Sequence, residues 1–328
     1  MKIAILGTIV YDEIVTHLGE RKQSFGGITY NVAALESLID DATHLVPIAQ
    51  VGYDRYDDVL KLYGTYKGVV SDGLRRMADR KNAHVQLVYT SVTARTEHME
   101  NVAPPLAPEQ IELAAECDAI LVNFITGREM NLEAFQSLGR RAKGHLHLDI
   151  HNKITEWTPE GNRKFVGLPD WRDYLAHART VQMNEFEVEQ LLARPVRGTE
   201  DYLRAAAELL GAGPKGVMIT LGPQGSVLAY RRADGVHGVA WPAANLGTVI
   251  DTTGCGDSFS AGFLWSYLRR KDMMWANAAA NVVGDVNCIT PGIGNLGMAR
   301  EMDRLIPKAW PDLATKLRDG WKGERLTR

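Results

Sequence analysis

The segment Asp251-Thr252-Thr253-Gly254-Cys255-Gly256-Asp257 runs straight into Ser258-Phe259-Ser260-Ala261-Gly262-Phe263. It reads as a glycine-rich turn that opens a helix, with a carboxylate at the join. Phe259, Phe263 and Tyr267, and Phe263, Leu264 and Leu268, recur at three- and four-residue spacing, so the helix stands on its own pattern. The N–H groups freed at a helix start favour anions. Gly254 and Gly256 permit positive φ and place no Cβ in the way of a phosphate. Asp257 stands where a substrate hydroxyl would arrive and can accept its proton. Those residue types in that order suit phosphoryl transfer to a hydroxyl. A lone Gly-x-Gly-Asp would more often be a capped turn. Two acids bracketing Thr-Thr-Gly-x-Gly are a rarer pattern.

Further groups suit the same chemistry. Gly26-Gly27-Ile28-Thr29-Tyr30-Asn31 puts a glycine pair before a helix, with an amide in its first turns that can donate and accept. Asn184 and Glu187 are three apart after an apolar run, so a helical turn puts them on one face. An amide and a carboxylate placed so can hold a water-rich Mg²⁺ near phosphates. A helix start that simply prefers acids would look similar. Thr220-Leu221-Gly222-Pro223-Gln224-Gly225 closes another apolar run with a turn.

Taken together these motifs resemble the ribokinase-like (PfkB) carbohydrate kinase family. Its signature is usually Asp-Thr-x-Gly-Ala-Gly-Asp, with Ala where this chain has Cys255. The resemblance implies that Asp257 is the catalytic base and that Gly254, Cys255 and Gly256 supply backbone N–H groups to the phosphoryl oxygens. It implies that Asp12, Gly27 and Asn31 contact the substrate. It implies that Asn184, Thr220, Gly222, Gly225 and Gly292 line the nucleotide, and that Glu187 holds Mg²⁺ through water. Asp251 and Thr253, with the loop Thr290-Pro291-Gly292-Ile293-Gly294, resemble a K⁺ site. Val51-Gly52-Tyr53-Asp54 resembles the family's Val-Gly-x-Asp. Asp149-Ile150-His151-Asn152-Lys153 with Trp157 resembles its Asp-Pro-Asn-x-Arg-x-x-x-Trp, with His151 in place of Asn and Lys153 in place of Arg. Lys cannot reproduce a bidentate Arg. Strand alternation puts His145, His147, Asp149 and His151 on one face, but ligands two apart on one strand rarely surround a single ion, so a transition-metal site is not favoured.

These residues need elements to hold them. Short apolar runs at 3–6, 119–124, 145–150, 180–183 and 217–221 read as strands. They alternate with amphipathic stretches at 28–38, 108–116, 132–143, 171–178, 186–192 and 199–210. Such alternation argues for a mainly parallel sheet covered on both faces, with ligands outside the carboxyl ends of its strands. Residues 226–230 and 236–241 read as two strands joined by the turn 233–235. Residues 84–99 are rich in Val, Thr and Tyr without helical period, and 9–15 and 22–25 are similar. They are either edge strands of the main sheet or a small separate sheet placed as a lid.

The chain has 328 residues, with 45% hydrophobic and 23% charged, and a net charge of −3. That excludes a basic nucleic-acid footprint, and no apolar run approaches a membrane span. The three cysteines are odd in number and far apart. They suggest neither a disulfide framework nor a zinc site, which suits a reducing cytosol. The expectation is one α/β domain over residues 1–328, a ribokinase-like three-layer sandwich with a mainly parallel central sheet and lid strands within 9–25 and 84–99. Its expected function is a cytoplasmic ATP- and Mg²⁺-dependent kinase for a sugar or related small molecule, with K⁺ as a further cofactor and a homodimer formed through the lid. A nucleoside kinase of the same fold is the first alternative, with Tyr11, Phe25, Tyr89 and Phe124 as candidates to stack on a base. A non-catalytic nucleotide or sugar sensor is the second. A dinucleotide-binding dehydrogenase fails, because the first strand leads to no Gly-x-Gly-x-x-Gly.

Overall fold

The computed structural model describes residues 1–327 apart from 17, 91–94, 291 and 293–295. Ile3, Ala4, Ile5 and Leu6 are all fully buried, and such a continuous apolar run is what a parallel strand covered on both faces requires. Lys2–Leu6 lies within a ten-stranded sheet whose other strands, outward on one side, are His44–Gly52 and Leu74–Met77. On the other side come Ala119–Asn123, His145–Asp149, Thr180–Asn184 and Gly216–Thr220, all parallel. Ser226–Arg232, Gly235–Trp241 and Glu324–Thr327 extend that side in antiparallel fashion.

Side chains alternate between two cores, as the period of a strand demands. Ile3 and Ile5 pack on one face with the helices Ile28–Leu38, Cys255–Arg270 and Met273–Cys288. Ala4 and Leu6 pack on the other, with Pro108–Ala115, Leu132–Arg141, Trp171–Ala176, Glu185–Leu192 and Gly198–Leu210. Each fully buried Ile or Leu contributes on the order of 1.5–3 kcal/mol. This is the three-layer α/β sandwich expected.

Ile9–Val15, Arg21–Gly27, His84–Tyr89 and Arg95–Glu100 form a separate four-stranded sheet. Of the two placements open for these strands, the structure takes the lid. A two-stranded hairpin, Thr155–Trp157 with Arg163–Phe165, docks on its Arg95–Glu100 edge, where Met99 N–H donates to Gly161 O at 2.9 Å. The hairpin lacked an apolar run, and the pattern above missed it. The helix Met273–Cys288 was also missed. Ala276, Ala278, Ala279, Ala280, Val282 and Val283 are all fully buried. Asn277 and Asn281 are buried too, and their amides donate to Ser226 Oγ at 3.0 and 2.7 Å. A helix buried on nearly every side offers no clean apolar stripe to detect.

One expectation about the cysteines is corrected. Cys255 and Cys288 are disulfide-bonded, with Cα atoms 5.9 Å apart, while Cys117 is free and buried. Their 33-residue separation hid the pairing, because the start of one buried helix meets the end of the next.

Candidate active site

Four neighbouring parallel strands end, at the same edge of the sheet, in a polar residue: Asn123, Asp149, Asn184 and Thr220. The helix Cys255–Arg270 aims its first turn at that edge, and the lid covers it. Between them lies a cavity of about 320 Å³. Of the residues singled out from the sequence, Asp12, Gly27, Asn184, Glu187, Thr220, Thr253, Gly254, Gly256 and Asp257 line it.

Asp257 sits in the first turn of its helix and is 6% exposed. Its Oδ1 accepts from Asn123 Nδ2 at 2.6 Å. The same amide group donates to Asn31 Oδ1 at 3.0 Å, and Asn31 Nδ2 donates to the Asp257 carbonyl at 2.8 Å. Burial pushes the Asp257 carboxyl above the usual carboxylate range, while His151 and the Asn123 hydrogen bond pull the other way. A carboxylate poised so can take a proton. Asn31 is fully buried, so in this structure it braces the Asp257 backbone rather than facing the open cavity.

Gly254 caps the helix at φ 76°, a left-handed conformation that favours glycine. Cys255 does not line the cavity, and its N–H donates to Thr252 O at 3.3 Å. Of this turn, Gly254, Gly256 and Asp257 line the cavity. Gly27 has φ 61°, and a Cβ there would lie 2.2 Å from Thr8 O. A Cβ on Gly26 would lie 1.9 Å from Asp12 Oδ2, so strand Arg21–Gly27 runs close under Asp12, which is 3% exposed at the cavity wall.

Asn184 and Glu187 do share a helix start, as a reciprocal cap. Asn184 Oδ1 accepts from the N–H groups of Phe186 and Glu187, both at 2.9 Å. Glu187 accepts from Asn184 N–H and Nδ2, both at 2.8 Å. Burial, reinforced by Asp149, pushes the Glu187 carboxyl well above its ordinary value. Burial also raises Asp149, whose Oδ2 accepts from Gln182 Nε2 at 3.1 Å and Ser260 Oγ at 2.8 Å.

Other expected residues lie elsewhere. Gly222 and Gly225 form the turn after Thr220, outside the cavity wall. Asp251 Oδ1 accepts from Thr253 N–H at 2.9 Å, and Thr253 O accepts from Asn287 Nδ2 at 2.8 Å. Gly292 is an exposed bend, and its neighbours 291, 293 and 294 lie outside the described residues. Lys153 Nζ donates to Gly127 O and Met130 O, both at 2.8 Å, and lies 4.6 Å from the Phe124 ring centroid. It braces a loop. His145, half-buried, and His147, fully buried, both hydrogen-bond with Thr180 Oγ1, and burial lowers both to about 3, so they stay neutral away from the cavity.

The proposed stacking aromatics are corrected. Tyr11, Phe25 and Phe124 do not line the cavity, and Tyr89 stands at its margin, its hydroxyl 3.2 Å from Oγ1 of the cavity-lining Thr253. Tyr11 packs on Phe25 within the lid, and Phe124 is buried against Phe135 and Tyr174. Trp157, Tyr30, Met99 and Leu87 line it instead. Sequence reasoning also passed over Asn123, Gln182 and Arg163. A polar residue closing an apolar strand was the signal available for Asn123, as it was for Asp149.

Comparison with known sequences fits this geometry: residues 3–298 match the description "pfkB family carbohydrate kinase". The chain belongs to that family. Among pfkB relatives, an uncharacterized sugar kinase of Archaeoglobus fulgidus is 32% identical over 137 residues, which is 42% of this chain and 50% of the relative. The alignment thus spans about half the length of that curated relative. Arabidopsis thaliana ribokinase complexed with ribose and ATP superposes with a TM-score of 0.73 at 17% identity, covering 93% of this chain and 98% of the other. Burkholderia thailandensis nucleoside kinase in complex with inosine gives 0.71 at 18% identity, covering 95% and 98%. At such identities the superpositions speak for the pfkB fold alone.

Proposed function

We propose that this protein is an ATP-dependent kinase that transfers the γ-phosphoryl group to a hydroxyl of a sugar or related small polyol. The observation that carries this reading is the Asp257 carboxyl, buried at the cavity floor in the first turn of a helix. The acceptor hydroxyl lies between Asp257 and the γ-phosphorus. Its O–H bond breaks toward Asp257 as its oxygen bonds phosphorus and the bridging oxygen leaves with ADP. The N–H groups around Gly254–Asp257 would meet the phosphoryl oxygens, and this preorganised field would supply most of the acceleration. Asp12 accepts from substrate hydroxyls, and Gly27 allows the ligand close to the backbone. Thr220 and Asn184 flank the donor phosphates.

Glu187 fits Mg²⁺ held through water, because it is a buried carboxylate on the cavity wall with Asp149 and Asp257 nearby. The ion, when bound, offsets phosphate charge. For K⁺ the candidates are Asp251 and the Thr253 carbonyl, each already accepting one hydrogen bond, as both Glu187 oxygens also do. A cytoplasmic location is proposed from the use of ATP alone, because the Cys255–Cys288 disulfide removes the argument from reduced thiols. A homodimer would use the lid edge Arg21–Gly27, since the hairpin covers the opposite edge.

A panel of free sugars, polyols and nucleosides assayed for ADP release tests the reading. Transfer to a sugar or polyol is the expected result. ATP binding without transfer to any acceptor would make the protein a sensor, and transfer to nucleosides alone would make it a nucleoside kinase.

Asn123 gives a sharper prediction. Replacing it with Ala removes the hydrogen bond that opposes the raised ionisation of Asp257. The acid limb of kcat/KM is then expected to move to higher pH, so activity falls most at low pH and recovers as pH rises. Leaving the Asp257 and Asn31 oxygens without this donor costs about 1–3 kcal/mol of stability. A uniform loss at every pH would show that Asn123 acts only on the fold.

A further inference from the structure

His151 is the imidazole that lines the cavity among the described residues. Its Nδ1 is 3.8 Å from Asp257 Oδ1. Ligand-type atoms of Asp149, His151 and Asp257 all fall within 4.8 Å of one another. The His151 side chain is 34% exposed and that of Asp257 8%, so the ring lies between the buried carboxyl and solvent.

The backbone at His151 is built to put the ring there. It has φ 43°, a left-handed conformation that costs a non-glycine residue about 1–2 kcal/mol, and such strain clusters at functional sites. The turn is clamped: His151 N–H donates to the Asp149 carboxylate, Asn152 N–H to Phe124 O at 3.0 Å, and Asn152 Nδ2 to Ile125 O at 2.8 Å. Charged groups approach the ring region from several elements. Asp149 comes from its own strand end, Asp257 from the helix Cys255–Arg270 and Glu187 from Glu185–Leu192. Arg163 on the hairpin and Glu97 on the lid, 3.0 Å apart, with Asp12 and Tyr30, complete the wall.

A buried base creates a problem of proton disposal. Each turnover leaves the hydroxyl proton on Asp257, in a site that substrates close to water. We propose that His151 carries this proton out. Its ring accepts the proton from the Asp257 carboxyl, becoming imidazolium and restoring the carboxylate, and then gives a proton to water at the exposed side. No electron transfer or further reactant is involved. His151 thus acts through Asp257 as a positioning residue with a proton-carrying role. The proposal rests on the kinase reading of Asp257. Apo distances of this kind commonly shorten in the reactive complex.

The test uses His151→Asn and His151→Gln in the full chain. Asn tolerates the left-handed backbone, so folding should survive. With an acceptor found by the panel, kcat is expected to fall on the order of 10², with KM for donor and acceptor within about threefold of the parent. Added imidazole should restore part of the rate in proportion to its free-base concentration. An unchanged kcat, a rise in KM without rescue, or recovery by extra Mg²⁺ in place of imidazole would each overturn the proposal. An arm independent of turnover follows Asp257 ionisation by difference infrared spectroscopy, with Asp257→Asn to assign the band. Loss of His151 should move that ionisation to higher pH. If it does not move, the relay fails even where the kinase reading stands. If it moves in a protein that phosphorylates nothing, the kinase reading fails and the His151–Asp257 coupling survives.

Discussion

Asp257→Asn is expected to lower turnover by roughly three orders of magnitude, the middle of the range general-base catalysis supplies, about 10²–10⁴. The amide keeps an oxygen for the Asn123 hydrogen bond and leaves the Asp257 carbonyl on Asn31, so the turn should hold its shape. ATP affinity should change little, because the backbone amides remain in place. Stability should not fall with activity. Burial raises the ionisation of Asp257 in the folded protein above its ordinary value. The folded state then keeps this proton to higher pH than the unfolded chain does. Stability drains away as pH climbs from the unfolded pKa, about 3.9, through the raised folded one. Above that window the ionised carboxylate is therefore a burden that Asn lacks, and the thermal midpoint there should stay level or rise. Steady-state kinetics, calorimetric titration of ATP and a melting curve decide this together. Near-normal phosphorylation by the variant would remove Asp257 from the base role, and a lowered melting point would attribute the loss to folding.

The parts of this site legible in the sequence are those whose chemistry is local. The Gly254–Asp257 turn needs its residue types in consecutive order, and so does the Asn184–Glu187 cap. The central strands were legible because burial on both faces demands unbroken apolar runs. Groups that act across the sheet were not legible. Asn123 reaches Asp257 from 134 residues away, and nothing near either residue announces the partner. Asn31 shows the converse: its motif was visible, but only the packed structure turns its amide toward Asp257. The aromatic residues failed for a related reason. An aromatic side chain marks burial as readily as ligand contact, and Phe124 packs between Phe135 and Tyr174 while Trp157, on a hairpin with no apolar run, reaches the cavity.

The carboxylates show why the site is a compromise. Asp149, Glu187 and Asp257 all ionise with more difficulty than ordinary acids, each chiefly because of burial. Asp149 and Asp257 further raise Glu187. A cavity holding several such groups is held open against its own repulsion by the sheet and helices beneath it. Phosphates bring more negative charge, so the donor must arrive with cations and meet the amides of the helix start. The fold supplies the second requirement through one turn, and that turn depends on a single glycine.

Gly254→Ala tests that dependence. At φ 76° the added Cβ would lie 2.2 Å from Tyr30 Cδ1 and 2.4 Å from Cγ. Tyr30 is 5% exposed on the helix Ile28–Leu38, so the ring has little room to retreat and the cap itself must shift. The left-handed backbone costs about 1–2 kcal/mol and overpacking about 1–3 kcal/mol, together roughly 2–5 kcal/mol of stability. A cradle displaced by about 1 Å costs on the order of 10² in rate. Gly198→Ala separates the two effects. Gly198 has nearly the same φ, 74°, with nothing within 4 Å of an added Cβ, far from the cavity at the start of Gly198–Leu210. That variant should lose only the backbone share of stability and keep full turnover. Chemical denaturation and kinetics on both variants distinguish strain from displacement. If Gly254→Ala loses no more than Gly198→Ala in either measurement, the contact with Tyr30 does not hold the phosphate turn in register.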